Sequence, residues 1–202
     1  SNGQFTNPMV IRIAGLGYQK GFGGHFHNDN ALAFLREIPG IILACPSSAG
    51  RAVRLLRECV RLAYEEQRVV VFLEPIALYM VKDLVEMGDN GALEAYPALN
   101  ERAHFGEVLV EGEGTFALIS YGNGSYLCRQ AKMELEAQGH SVKHIDLQWL
   151  NPLPLESLNK ALKGCTHCLI VDECRKTASL SETLMTWMLE SLPAMPKTKR
   201  LT

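Results

Sequence analysis

Six short apolar runs punctuate the chain: MVIRI (9–13), IILAC (41–45), VVVFLE (69–74), FALISY (116–121), VKHIDL (142–147) and CLIVDE (168–173). Most lack the apolar–polar alternation of a sheet wetted on one side, so they predict strands covered on both faces, as in a parallel sheet. Between them the period lengthens. In SSAGRAVRLLRECVRLAYEEQ, residues Ala52, Leu55, Leu56, Cys59 and Ala63 recur at three- and four-residue steps, with the arginines and glutamates largely elsewhere. That spacing predicts an amphipathic helix lying on a sheet. A second helix is expected over about 124–138, with Leu127, Ala131 and Leu135 on one apolar face and Gly139 as its left-handed stop. A third should begin at SLSE, where Ser179 can accept from a free backbone N–H and Glu182 can reach back in a capping box.

Strand, helix and strand alternate throughout, which implies an α/β fold with right-handed crossovers. The core signal lapses in MVKDLVEMGDNGALEAYPALNER, which has weak periodicity, an Asn90–Gly91 turn signal and Pro97. The expected organisation is two three-layer α/β units with mostly parallel sheets, at 1–80 and 104–202, joined by a linker at 81–103. Only three strands are legible in the first unit, few for an independent sheet, and the chain stops at KTKRLT just as another strand might begin. Both ends therefore read as cut.

Composition narrows the function without naming it. With 47% hydrophobic and 21% charged residues the chain can build a core, and a net charge of −2 gives no basic field for nucleic acid or anionic lipid. The apolar runs are far short of the ~20 residues that span a bilayer, and SNGQFTNPMV has no signal-peptide pattern, so neither nucleic acid nor membrane is an expected partner. Six cysteines, several inside apolar runs (Cys45, Cys59, Cys128, Cys168), read as buried thiols of a reducing cytoplasm.

The chemistry concentrates in GFGGHFHNDN (21–30), which follows the first strand and precedes a helix expected from about Asn28. Ligands of open α/β sheets collect at the carboxyl ends of strands, and glycines let backbone approach them closely. His27 and His25 can each move a proton near neutral pH, and Asp29 can orient an imidazole. The two histidines with Asp29 fall short of a divalent site, which wants three or four ligands, so no metal is expected. CTHC (165–168) has zinc or redox spacing, with Cys174 the one further candidate nearby; buried structural thiols are the favoured reading. GLGYQKGFGG matches neither a dinucleotide nor a Walker pattern. VDECRKTASLSE is placed to bind an anion, but a solvated, internally paired loop is favoured there. FLEP and LNPLP place proline just after a strand, a structural stop.

GGHFHNDNALAFLREIPGIILACPSSAGRAVRLLRECV with VVVFLEPIALY resembles the pyrimidine-binding domain in the beta subunit of thiamine-diphosphate-dependent 2-oxoacid dehydrogenases, the decarboxylating first component. FALISYGNGSYLCRQAKMELEAQGHSVKHIDLQWLNPLP with LIVDECRKTASLSE resembles the transketolase-type C-terminal domain that follows it in that family. Together they cover most of residues 9–192. The resemblance implies part of a thiamine-diphosphate-binding fold followed by a transketolase C-terminal-like domain. It implies decarboxylation of a 2-oxo acid and reductive acylation of lipoamide, with thiamine diphosphate and magnesium held mostly by segments this chain does not contain. The implied partners are a diphosphate-binding domain or subunit, a lipoyl acyltransferase, and a second copy in a homodimer or alpha/beta heterotetramer.

Family members carry a loop histidine followed by Ser-Gln about a dozen residues before a Pro-Gly. His27 stands 12 residues before Pro39–Gly40 and so inherits the active-site role, ahead of His25. Asn28–Asp29 replace Ser-Gln, which puts a carboxylate beside the imidazole and should favour its protonated form. YEEQRVVVF is longer than the turn associated with the family's monovalent-cation site, and no cation is carried over. The family's pyrimidine-bonding glutamate finds no match, so the chain alone is expected to be inactive. Two alternatives stand beside this reading: a ketol transferase of the transketolase or deoxyxylulose-phosphate synthase kind, whose Pro-Thr-His loop is absent here, and a non-catalytic assembly module.

Overall fold

A computed structural model describes residues 4–16 and 32–202. All six expected strands are present: β1 (Met9–Gly15), β2 (Ile41–Ala44), β3 (Val69–Pro75), and, beyond a three-residue strand β4 (Leu109–Glu111), β5 (Phe116–Ser120), β6 (Val142–Asp146) and β8 (His167–Val171). Two strands had no legible pattern, β4 and β7 (Trp149–Asn151), because three residues at a sheet edge are too few to show a period. KTKRLT is a strand itself, β9 (Lys197–Leu201), parallel to β8.

The strands form a sheet ordered β1-β3-β2-β7 and another ordered β4-β6-β5-β8-β9. All pairings are parallel except those of the short strands β7 and β4, which confirms two mostly parallel α/β sheets. The fourth strand of the first sheet comes from late in the chain. Trp149, fully buried, inserts from β7 into the apolar layer formed by Ile42, Ala44, Val70 and Phe72, donates from Nε1 to His104 O at 2.9 Å, and meets Phe105 edge-on. One apolar cluster then runs from Leu43, Val71 and Leu73 of the first sheet to Ile119, Ile145 and Ile170 of the second. The sheets share a core.

Helix α2 (Ala49–Glu66) turns to the sheet the stripe read from its sequence, with Leu55, Cys59 and Ala63 buried, Ala52 and Leu56 half-buried and Leu62 added to it fully buried, and Ser48 caps its start by accepting from Arg51 N–H. Glu58 departs from the pattern: its carboxylate is buried and gripped by Arg61. Helix α1 (Leu32–Glu37) packs through Leu32 on the opposite face of the first sheet. On the second sheet lie α3 (Gly122–Ala137), α4 (Leu155–Leu162) and α5 (Leu180–Ser191).

The structure corrects three expectations. In α3, Leu127 is 54% exposed and Ala131 is exposed, while Gly124, Ser125 and Cys128 are buried. Small residues face the sheet there because the helix approaches it closely: a Cβ on Gly124 would overlap Ser120 Oγ. The start of α5 is capped by Ser179 as expected, but Glu182 reaches back to the N–H of Ala178 rather than to the capping residue. Third, β1 is not covered on both faces. It is an edge strand whose Met9 and Ile11 are exposed among the described residues.

The stretch 79–108 crosses between the sheets with no helix and only turns. Its tip is organised by two carboxylates. Asp89 accepts from the N–H groups of Leu84, Val85, Glu86 and Gly91, and Asp83 from those of Gly88 and Asn90. Those four backbone donors hold the Asp89 carboxyl far below the usual range.

Candidate functional site

His25, His27 and Asp29 lie outside the described residues, as does the helix start expected at Asn28. What the structure defines is the pair of anchors on either side. The chain reaches Gly15, beside Pro75 of β3, and then Leu16, which is buried in the shared core with φ of +50°. It returns at Leu32, equally buried in the same cluster. This is the carboxyl end of β1, the position where the sequence places the histidines.

Both anchors are fastened by the second half of the chain. Asn123, at the start of α3, donates from Nδ2 to Leu16 O at 2.6 Å and to Glu173 Oε2 at 2.6 Å. Its neighbour Gly122 has φ of +50°, a region that favours glycine, and a Cβ there would meet Leu16 Cδ1 at 2.8 Å, Cys45 Sγ at 3.1 Å and Pro75 Cγ at 3.3 Å. The start of α3 therefore presses on the ends of β1, β2 and β3 together. On the return side, Arg36 Nη2 donates to Thr183 Oγ1 of α5 at 2.9 Å.

The acidic loop after β8 supplies the rest of this clamp. Asp172 is not solvated, as its sequence context suggested, but buried: it accepts from Tyr121 OH at 2.6 Å and from Ser181 N–H at 2.8 Å. Burial first, then the Asp172 charge, pushes the Tyr121 phenol well above its ordinary value, so it stays a donor. A charge closed in at a strand end needs such donors, and the N-terminus of α5 provides one. Tyr121, Asn123, Asp172 and Glu173 were all missed as site residues. Asp172 and Glu173 were read only as part of a loop placed for an anion, and, apart from Ser181 beside Asp172, the partners of the four lie 50 or more residues away.

A second polar group lies between α2, α3 and the second sheet. Glu111 is bridged by Arg51 of α2 at 2.8 Å and lies 3.1 Å from His144 Nδ1 and 3.7 Å from Arg129 of α3. The His144 hydrogen bond, aided by the nearby cations, holds its carboxyl down to about 2 against desolvation. Fully buried Asp146, which accepts from Ser47 Oγ, goes the other way, because burial raises it.

A cavity of about 540 Å³ opens on the α2 face of the first sheet, walled by Leu56, Phe72, Leu78 and Leu93, with Arg12, Glu74 and Tyr79 hydrogen-bonded together on one side. It lies across the sheet from the face on which Leu16 and Leu32 pack.

Four of the six thiols are inert by burial. Desolvation lifts Cys59, Cys128 and Cys168 to about 12 and raises Cys45 strongly, so none offers a thiolate. Within CTHC, Cys168 is buried in β8 and Cys165 is half-buried at its approach. Among the described residues no group of three or more histidine, cysteine or acidic side chains could hold a metal ion, and no helix is long and apolar enough to cross a membrane.

Residues 106–199 match the model of the transketolase C-terminal domain. Over 191 residues the chain is 28% identical to the pyruvate dehydrogenase E1 component subunit beta of Chlorokybus atmophyticus, covering 95% of this chain and 52% of that protein. It is 30% identical over 185 residues to the chloroplastic pyruvate dehydrogenase E1 component subunit beta-2 of Arabidopsis thaliana, covering 91% of this chain and 41% of that one. Among solved structures it superposes on a split-gene transketolase, an inactive beta4 tetramer, with a TM-score of 0.67 at 16% identity, covering 96% of this chain and 56% of that one. It also superposes on 2-oxoglutarate:ferredoxin oxidoreductase from Magnetococcus marinus, with a TM-score of 0.64 at 13% identity, covering 96% and 46%. The chain spans about half the length of these relatives. The resemblance drawn from its motifs, to the beta subunit of 2-oxoacid dehydrogenases with a transketolase-type C-terminal domain, agrees with this similarity to pyruvate dehydrogenase E1 beta subunits over most of the chain and with the domain match at residues 106–199.

Proposed function

We propose that this chain is the pyrimidine-side and C-terminal part of a 2-oxoacid dehydrogenase that decarboxylates a 2-oxo acid and passes the acyl group to lipoamide. The observation that carries the reading is the similarity to pyruvate dehydrogenase E1 beta subunits across 95% of the chain. The clamped end of β1 supports it, because the segment bearing His27 departs from a carbonyl fixed against the second sheet's helices. In this reading His27 moves protons and meets substrate charge at the reacting carbon, with His25 and Asp29 as neighbours that tune it.

Thiamine diphosphate supplies the electron sink for such a decarboxylation when bound. The described residues at this end of the sheet do not make a magnesium–diphosphate site. Asp172, Glu173 and Glu74 are already engaged by Tyr121 and Ser181, by Asn123, and by Arg12. They fit a scaffold, and the diphosphate and its magnesium belong to a partner domain or subunit, with a lipoyl acyltransferase as acceptor.

The test is turnover by the complete protein with its partner subunit, offered pyruvate, branched-chain 2-oxo acids or sugar phosphates. Release of carbon dioxide from a 2-oxo acid with acylation of lipoamide is expected, and His27→Ala should lower it by 10²-fold or more. Turnover confined to a ketose donor would replace this reading with ketol transfer, and no turnover with any donor would favour an assembly module.

A further inference from the structure

We infer that Asn123 is a positioning residue for the histidine-bearing segment, acting through the carbonyl of Leu16. The inference rests on the proposed decarboxylase reading and deepens it.

The stoichiometry of the contact is specific. An amide Nδ2 carries two protons, and both are used at 2.6 Å, one on the backbone carbonyl of Leu16 and one on the Glu173 carboxylate. Among the described residues the buried Oδ1 of Asn123 has no partner, so the contacts that orient the side chain there are those of its donors. Flipping the amide would set Oδ1 against two acceptor oxygens, and an aspartate would set a charge there. The carboxylate of Glu173 polarises the amide, a charge-assisted arrangement stronger than a neutral pair.

The contact is also built from both sides. Leu16 is a leucine in the left-handed region, a conformation that persists only where its surroundings over-determine it, and here those surroundings are the shared core and the start of α3. Gly122 permits the approach, since any Cβ there would strike Leu16, Cys45 and Pro75. Leu16 and Asn123 are 107 residues apart, and Asn123 lies within the residues that match the transketolase C-terminal domain. That domain thus sets the point from which the catalytic segment departs. Misplacing a reacting group by about 1 Å costs roughly 10²-fold in rate, which fixes the scale of the expected effect.

The experiment uses the complete protein assembled with its partner subunit, comparing wild type with Asn123→Ala and Glu173→Gln. Steady-state kinetics should show kcat lowered by about 10²-fold in Asn123→Ala and about tenfold in Glu173→Gln, with KM nearly unchanged. Hydrogen exchange should rise in peptides covering residues 9–16 and 32–37 and stay unchanged over 155–162. Glu173→Gln keeps shape and an acceptor oxygen, so it carries the test if Asn123→Ala does not assemble. Wild-type kcat and wild-type exchange in the variants would overturn the inference. So would exchange that rises everywhere together with a fallen Tm, which marks a merely structural contact. If the wild type turns over no 2-oxo acid, the functional reading fails, and selective exchange at residues 9–16 still decides whether Asn123 fixes that strand end.

Discussion

Helices α2 and α3 are close in length, 18 and 16 residues, and both lie on parallel strands, yet they bury opposite kinds of surface. The first inserts Leu55, Cys59 and Leu62 and is capped by a serine side chain; the second turns glycine, serine and cysteine to its sheet and starts without a side-chain cap. Large side chains hold a helix about 10 Å from its sheet and bring hydrophobic stabilisation. Small ones forgo most of that stabilisation and let backbone come close. The reward at α3 is geometric: its first turn reaches the ends of three strands of the other sheet and bonds a backbone carbonyl there. One helix supplies stability and the other placement.

The sharpest way to break that division is to truncate α2. Leu62 has no exposed surface, and Leu62→Ala should cost about 2–5 kcal/mol, the lost transfer energy plus the cavity left behind. Chemical denaturation monitored by circular dichroism checks it. A cost below 1 kcal/mol would mean that α2 is not the anchor of the first sheet.

Gly122→Ala should come next, at about 1–3 kcal/mol, because one added carbon collides with three side chains and meets a positive φ. The same denaturation measurement reads it. Its signature should differ from that of Leu62→Ala, with hydrogen exchange rising first at residues 9–16, where the strand end is displaced, rather than across α2.

These two sites also mark what was legible in the chain. The apolar stripe of α2 and the six apolar runs carry a strong local signal, because burying a leucine requires a leucine. The face of α3 carries little: Gly124, Ser125 and Cys128 are buried by nearness, so of the expected stripe Leu127 and Ala131 point away from the sheet and only Leu135 packs on it, half-buried beside Cys128. Asp172 read as a solvated loop residue for the same reason, since its donors Tyr121 and Ser181 come from other elements. The sequence puts the candidate site in the Gly-rich segment with His25, His27 and Asp29, outside the described residues, whereas the side chains that fasten its ends, Asn123 and Arg36, depend on contacts across 107 and 147 residues and show no local pattern.

A third prediction concerns a carboxylate that ties the two helices together. Glu111 meets Arg51 of α2 and Arg129 of α3, and its folded value of about 2 lies below the ordinary 4.5. A depressed carboxyl contributes stability that is fully present above its ordinary value and is lost as pH falls toward the folded one. The stabilisation should therefore disappear between about pH 4.5 and 2. Glu111→Gln should lower stability near pH 7 by about 1 kcal/mol, given its partial exposure, and flatten the acid limb of a stability–pH profile. A variant whose acid limb matches that of the wild type would show that the helices are joined by packing alone.

The smallest expected effect is the most telling about α3. Leu127 looks like a core residue by its spacing, and a helix that bound its sheet by leucines would lose about 2–5 kcal/mol on Leu127→Ala. The structure leaves it 54% exposed, away from the face made by Gly124, Ser125 and Cys128. Truncation there should change stability by no more than about 0.5 kcal/mol, since alanine also has the better helix propensity. Thermal unfolding of this variant beside Leu62→Ala measures the contrast directly in one instrument. A loss of 2 kcal/mol or more at Leu127 would turn α3 over, remove Asn123 from Leu16, and leave the start of the histidine segment without the clamp that gives the second sheet its part in the site.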